Sequence, residues 1–163
     1  MLHKASIAGM AMDPASNTPI IILKTESGDH VVPIWIGLLE ATSIASALKE
    51  IDFERPMTHD LFKNFLDEVH TRIERIEVCD IRNNTYFARI YFSSEAGAFS
   101  MDARPSDAIA MALRFSAPIF IDTVVIEKSQ QNQADAEMSD QTEEGKKWAE
   151  YLSNLSPDDI GKA

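Results

Sequence analysis

The chain has 163 residues, 45% of them hydrophobic and 25% charged, a composition that supports one folded domain and excludes a collagen-like or wholly disordered polypeptide. Its formal net charge of -11 is spread along the chain: Glu127 to Ala163 carries nine acids against four bases, and the preceding residues carry seventeen against eleven. Such acidity gives no general electrostatic grip on phosphate backbones, so a nucleic-acid partner requires a local basic site or a metal ion.

In chain order, Leu2 to Thr25 holds short apolar and β-branched runs split by the turn-forming "DPASNTP", and "SGDH" turns into "VVPIWIG". Three strands are therefore predicted before the first helix. That helix is expected from about Leu38 to Glu50, with Leu38, Ala41, Ala45 and Leu48 at helical spacing. After "DFERPM", Thr58 is expected to cap a second helix that ends near His70 and carries Leu61, Phe62, Phe65, Leu66 and Val69 as one apolar stripe. "RIERIEVCDI" and "TYFARIYF" alternate as strands do, and Asn83 and Asn84 between them suit the positive φ of a tight hairpin. "AFSMDA" predicts a further strand before the third helix, "RPSDAIAMALRF", and "APIFIDTVVIE" reads as one or two closing strands.

Residues 129–141 are polar, acidic and aperiodic, the composition of a flexible linker. Residues 142–163 regain a helical pattern in Trp148, Tyr151, Leu152 and Leu155, suited to docking or to a protein partner. The fold class expected is α+β: a compact single domain over 1–128 with a mixed, largely antiparallel sheet and about three helices, then the linker and a C-terminal helix. The single cysteine, Cys79, excludes an intrachain disulfide and a Cys-based zinc site and reads as a buried strand thiol. Neither a signal-peptide pattern nor an apolar run of membrane length is present, and a cytoplasmic location with no membrane contact is expected.

Two helix starts are alike, "RPMTHD" at Arg55 to Asp60 and "RPSD" at Arg104 to Asp107. Punctuation accounts for part of each: proline disfavours helix in the residue before it, Thr58 and Ser106 can cap, and Asp60 and Asp107 complement the positive end of the helix dipole. The arginines oppose that dipole and need a negative partner, either the neighbouring Asp or an anion seated on the helix N-terminus. Carboxylates beside a phosphate imply Mg²⁺ or Mn²⁺, with Asp60 and Asp107 as metal ligands. His59 is a candidate general base or metal ligand, against a bland reading as a half-exposed, hydrogen-bonded histidine. Glu40 falls in the first turn of the first helix, a capping position that supplies a third carboxylate if the helix starts converge, and Asp102 is equally ambiguous. Trp35, between Ile34 and Ile36, reads as core or interface. No P-loop, Rossmann, zincin or nucleophile-elbow motif occurs, so Ser-based acyl transfer has no recognisable local signature.

"NTPIIIL", "VVPIWIGLLEA", "RPMTHDL" and "MDARPSDAIAMALRFSAPIF", in this order and spacing, resemble the bifunctional nuclease (BFN) family over about Met1 to Lys128. The resemblance implies a compact α+β domain, commonly a homodimer, with DNase and RNase activity and polar motif residues near a cleft. The matching positions here are Glu40, Arg55, Thr58, His59, Asp60, Arg104, Ser106 and Asp107. On this reading Arg55 and Arg104, with Thr58 and Ser106, hold the phosphate of DNA or RNA. His59, Asp60, Asp107 and Glu40 are the catalytic set, and a divalent metal on Asp60 and Asp107 activates water. Two other readings stand beside it. One is a non-enzymatic dimeric module that binds a small anion or a protein partner at the same helix ends; in the other, the Arg-Asp pairs are internal salt bridges.

Overall fold

The computed structural model describes residues 1–139, with side-chain detail for 1–133. The elements are β1 (Leu2–Asp13), β2 (Thr18–Thr25), β3 (Val31–Trp35), α1 (Leu38–Leu48), α2 (Thr58–Glu68), β4 (Arg72–Arg82), β5 (Thr85–Ser94), β6 (Gly97–Ala103), α3 (Pro105–Phe115), β7 (Ile119–Asp122) and α4 (Thr123–Ser139). The seven strands form one sheet in the order β3-β2-β1-β7-β4-β5-β6. Its only parallel pair is β4 with β7, so the sheet is mixed and largely antiparallel, and the fold is α+β.

The sheet curls around its apolar face. Tyr86 on β5 donates its hydroxyl to the Pro33 carbonyl on β3 at 2.8 Å, although these strands stand far apart in the sheet order. Within the curl lies α3, with Pro105, Ser106 and Ala108 through Ala112 buried. A helix apolar on most sides belongs in a core, and its alanines let neighbouring backbones approach closely. Ile21, Leu23, Ile76, Val78 and Ile121 join it in one continuous cluster.

Local chemistry explains where α3 starts and stops. Arg104 occupies the cap position with extended backbone, Pro105 supplies the preset φ of a first helical residue, and Ser116 closes the helix in the left-handed conformation at φ 52°. The strands expected before α3 and the hairpin hold: Asn83 and Asn84 take φ of 48° and 59° between β4 and β5. Cys79 lies half-buried on β4, and burial pushes its thiol up.

Five sequence expectations are corrected. The "TVVIE" end of the expected closing strand is the first turn of α4, and the stretch expected to begin the linker, residues 129–139, continues that helix. Val125 and Ile126 are buried, and Lys128 donates to Asp80 Oδ1 at 2.7 Å and to the Ile81 carbonyl at 3.0 Å, so α4 is packed onto the sheet. Residues 140–163, including the expected C-terminal helix, lie outside the described residues. Thr58 does not cap α2: Met57 holds the cap position and its N–H donates to Asp60 Oδ2 at 3.1 Å. Ser106 does not cap α3 with its side chain; it is buried in the first turn. The apolar stripes of the shorter helices are only partly used, because Ala41, Ile44 and Leu66 are buried while Leu38, Leu61, Phe65 and Val69 stay exposed.

Candidate active site

α3 presents Asp107 and Arg114 two turns apart on one face, α1 presents Glu40 and Ser43 one turn apart, and α2 brings His59 and Asp60 in its first turn. These faces meet with Arg104 in one continuous polar network. Arg104 donates Nε to Asp107 Oδ2 at 2.8 Å, Nη2 to Asp107 Oδ1 at 3.2 Å and Nη1 to Glu40 Oε1 at 2.9 Å. His59 Nε2 lies 2.9 Å from Asp107 Oδ1, and His59 Nδ1 lies 2.7 Å from Ser43 Oγ. Arg114 donates to Ser43 Oγ at 3.2 Å, to the Ser43 carbonyl at 3.4 Å and to Asp60 Oδ1 at 2.7 Å. Glu40, Arg104, Asp107, His59, Ser43, Arg114 and Asp60 are thus linked side chain to side chain.

The electrostatics follow from those partners. Burial works to raise the Asp107 carboxyl, but Arg104 and His59 outweigh it and hold the group below its usual range. Asp60 is likewise held low, with Arg114 and the Met57 N–H overcoming burial. Asp107 and Glu40 in turn raise the Arg104 guanidinium. The Arg114 side chain is only 7% exposed and that of Arg104 is 65% exposed, so one guanidinium is structural in its burial and the other faces solvent.

A cleft of about 270 Å³ opens at the Arg104 end, between the N-termini of α1 and α3, with Trp35, Gly37, Glu40, Tyr86, Arg104 and Ser106 on its walls. A Cβ at Gly37 would meet the Glu40 carboxylate that folds back to reach Arg104, so a larger residue there would displace that carboxylate. Trp35, expected in a core or an interface, is 43% exposed at the end of β3 and donates Nε1 to Asp13 Oδ2 at 3.1 Å.

Of the residues singled out in the sequence, Glu40, His59, Asp60, Arg104 and Asp107 share the network, and Ser106 lines the adjoining cleft. Arg55 does not join them: it sits exposed in the loop before α2, with no hydrogen bond or ion pair among the described residues. Asp60 is matched by Arg114, so the two similar helix starts are wired differently. Ser43 and Arg114 were not foreseen. Arg114 reads as an ordinary cation in the last turn of a helix, and Ser43 as one of several small helix-packing residues.

The residues expected to hold a divalent metal do not form a ligand set. Among the described residues no group of three or more His, Cys, Asp or Glu side chains is arranged around a common point. Asp60 and Asp107 each face their own guanidinium. Both His59 ring nitrogens are also engaged, one by Asp107 and the other by Ser43.

Comparison with known proteins places this geometry in a family. The chain is 29% identical over 164 residues to an uncharacterized protein of Mycobacterium tuberculosis, a match that covers 98% of each. It is 30% identical over 105 residues to "Bifunctional nuclease 1" of Arabidopsis thaliana, covering 62% of this chain and 32% of that protein. The protein of the same name from Oryza sativa subsp. japonica is 28% identical over 103 residues, covering 61% of this chain and 31% of the plant chain. The model of the bifunctional nuclease domain matches residues 21–134, which runs from within β2 through most of α4 and takes in every member of the polar network. With that match spanning well over half of its length, the chain belongs to the bifunctional nuclease domain family.

Proposed function

We propose that the protein is a nuclease that hydrolyses phosphodiester bonds of DNA and RNA with little sequence preference, acting at the network beside the cleft. The observation that carries this reading is Arg104. Its guanidinium stands on the cleft wall at the N-terminus of α3, and three of its five N–H groups are used by Asp107 and Glu40. The two that remain are available to a phosphate, whose charge the helix end also favours. Glu40 and Asp107 hold that fork in place, and His59 handles the proton. Arg55, exposed in its loop, is the second phosphate contact in this reading.

The test compares cleavage of fluorescent single-stranded RNA and duplex DNA by wild type, Arg104→Ala and Asp107→Asn, after circular dichroism shows each to be folded. Wild type should cleave both, and either substitution should slow it by about 100-fold, the typical effect of removing one aligned electrostatic donor. Parallel reactions in Mg²⁺, Mn²⁺ and EDTA decide the metal requirement. Wild type without activity, or equal activity in all three proteins, sinks the reading.

A second reading, that these ion pairs only tie helix starts together, draws on the span of Arg104 between Glu40 of α1 and Asp107 of α3. Exchanging the charges, with Arg104→Asp and Asp107→Arg combined, would then recover melting temperature lost in each single variant.

A further inference from the structure

We propose that Ser43 is a nucleophile, activated by His59 and Asp107, so that cleavage passes through a covalent phosphoserine link between this side chain and the substrate. The inference rests on the nuclease reading for its substrate, but the nucleophile itself is argued from proton positions. Asp107 accepts two hydrogen bonds from Arg104 and is paired with it as a carboxylate, so His59 Nε2, at 2.9 Å from Oδ1, is the donor in that contact. Ser43 Oγ has two side-chain partners, Arg114 Nη2 at 3.2 Å and His59 Nδ1 at 2.7 Å. Arginine can only donate, which leaves His59 Nδ1 as the one acceptor for the Ser43 hydroxyl proton among the described residues. In the proposed resting arrangement Ser43 O–H donates to the His59 imidazole, which donates in turn to the Asp107 carboxylate.

That is the proton logic of a serine nucleophile, its base and the group that orients the base, with the two ring nitrogens exchanged relative to the serine proteases. In the free protein both nitrogens are engaged, so the proton His59 can reach is that of Ser43; Nδ1 becomes open to water only once Ser43 Oγ is bonded to phosphorus. Arg114 adds what an ordinary serine lacks, a buried guanidinium donating to the oxygen that becomes negative as the proton leaves. Ser43 is half-buried, not sealed, on the face of α1 that also carries Glu40 and, through it, Arg104.

In the proposed step Ser43 Oγ forms a bond to phosphorus, its proton passes to His59 Nδ1, and the bond from phosphorus to the nucleoside oxygen breaks. The resulting imidazolium, held by Asp107, returns that proton to the leaving oxygen. Water then attacks the same phosphorus with His59 taking its proton, the serine oxygen leaves and is reprotonated by His59, and a terminal phosphate monoester is released.

A fluorophosphonate probe tests the nucleophile without relying on nuclease activity, because the serine oxygen adds to phosphorus as fluoride leaves. Full-length wild type should gain the probe mass on the peptide containing Ser43. Ser43→Ala should remove that label, and His59→Gln and Asp107→Asn should slow it by about 100-fold, the contribution of a positioned base. If Ser43→Ala fails to fold, Ser43→Cys serves: iodoacetamide should then modify the substituted position ahead of Cys79, whose thiol burial pushes up. No label at Ser43, or labelling at the same rate in His59→Gln, overturns the proposal. Nucleic-acid cleavage retained in Ser43→Ala overturns it while leaving the nuclease reading intact. Labelling without any cleavage by wild type does the reverse.

Discussion

Asp60 accepts from the N–H of Met57, the cap of its own helix, and from Arg114 of α3, so its removal would leave a guanidinium that is 7% exposed without its carboxylate. Asp60→Asn keeps the shape and loses the charge, and it should lower unfolding stability by about 2 kcal/mol in a urea titration. The same contacts set a pH response. Asp60 and Asp107 are held below their usual range, and Asp80, bound by Lys128 and Arg82, is pulled down to about 2. A carboxyl group depressed in the folded state gives its full stabilisation above the unfolded value and loses it as pH falls through the folded one. Melting temperature should therefore fall below about pH 4 and continue to fall toward pH 2. A melting temperature flat over that interval would show that these pairs contribute nothing. At this scale the sequence was informative about Arg104, Asp107, His59 and Glu40, because a charge at a helix start can be recognised from its immediate neighbours. Ser43 was invisible, since a serine inside a helix carries no mark of the histidine and arginine that approach it from two other helices.

The hairpin between β4 and β5 and the start of α4 show what can be read of whole elements. Asn83 and Asn84 both sit at positive φ, as a two-residue turn of type I′ requires, and glycine relieves the steric cost of that conformation at the second position. Asn84→Gly should raise stability by up to about 1 kcal/mol, seen as a higher melting temperature. A loss would mean that the Asn84 side-chain contact with Asn132 of α4 outweighs the backbone gain. Residues Thr123 to Glu127 misled because a β-branched run favours strand. The overriding signal was Asp122, whose carboxylate accepts from the Val124 N–H at 2.9 Å and turns the chain into a helix. Burial of Val125 and Ile126 then rewards the helix over an extended edge strand.

For the molecule as a whole, the net charge of -11 limits how any polyanion can be held. If Arg104 and Arg55 are the contacts, only one or two phosphates are neutralised, and the logarithm of DNA affinity should fall with the logarithm of salt at a slope of about -1 to -2. Fluorescence anisotropy across a salt series measures it; a slope several-fold steeper would place binding on a basic surface other than this cleft. Among the described residues no helix is long and apolar enough to cross a membrane. Fold class, strand sequence, the hairpin and the charged helix starts were determined by the sequence itself, since each depends on residues within a turn or two of one another. Tertiary structure alone decided which charge met which: Glu40 with Arg104, His59 with Asp107 and Asp60 with Arg114 are separated by 64, 48 and 54 positions. Those pairings exist because α1 and α2 pack against a buried α3 within a curled sheet, and side-chain burial across the whole core sets that packing.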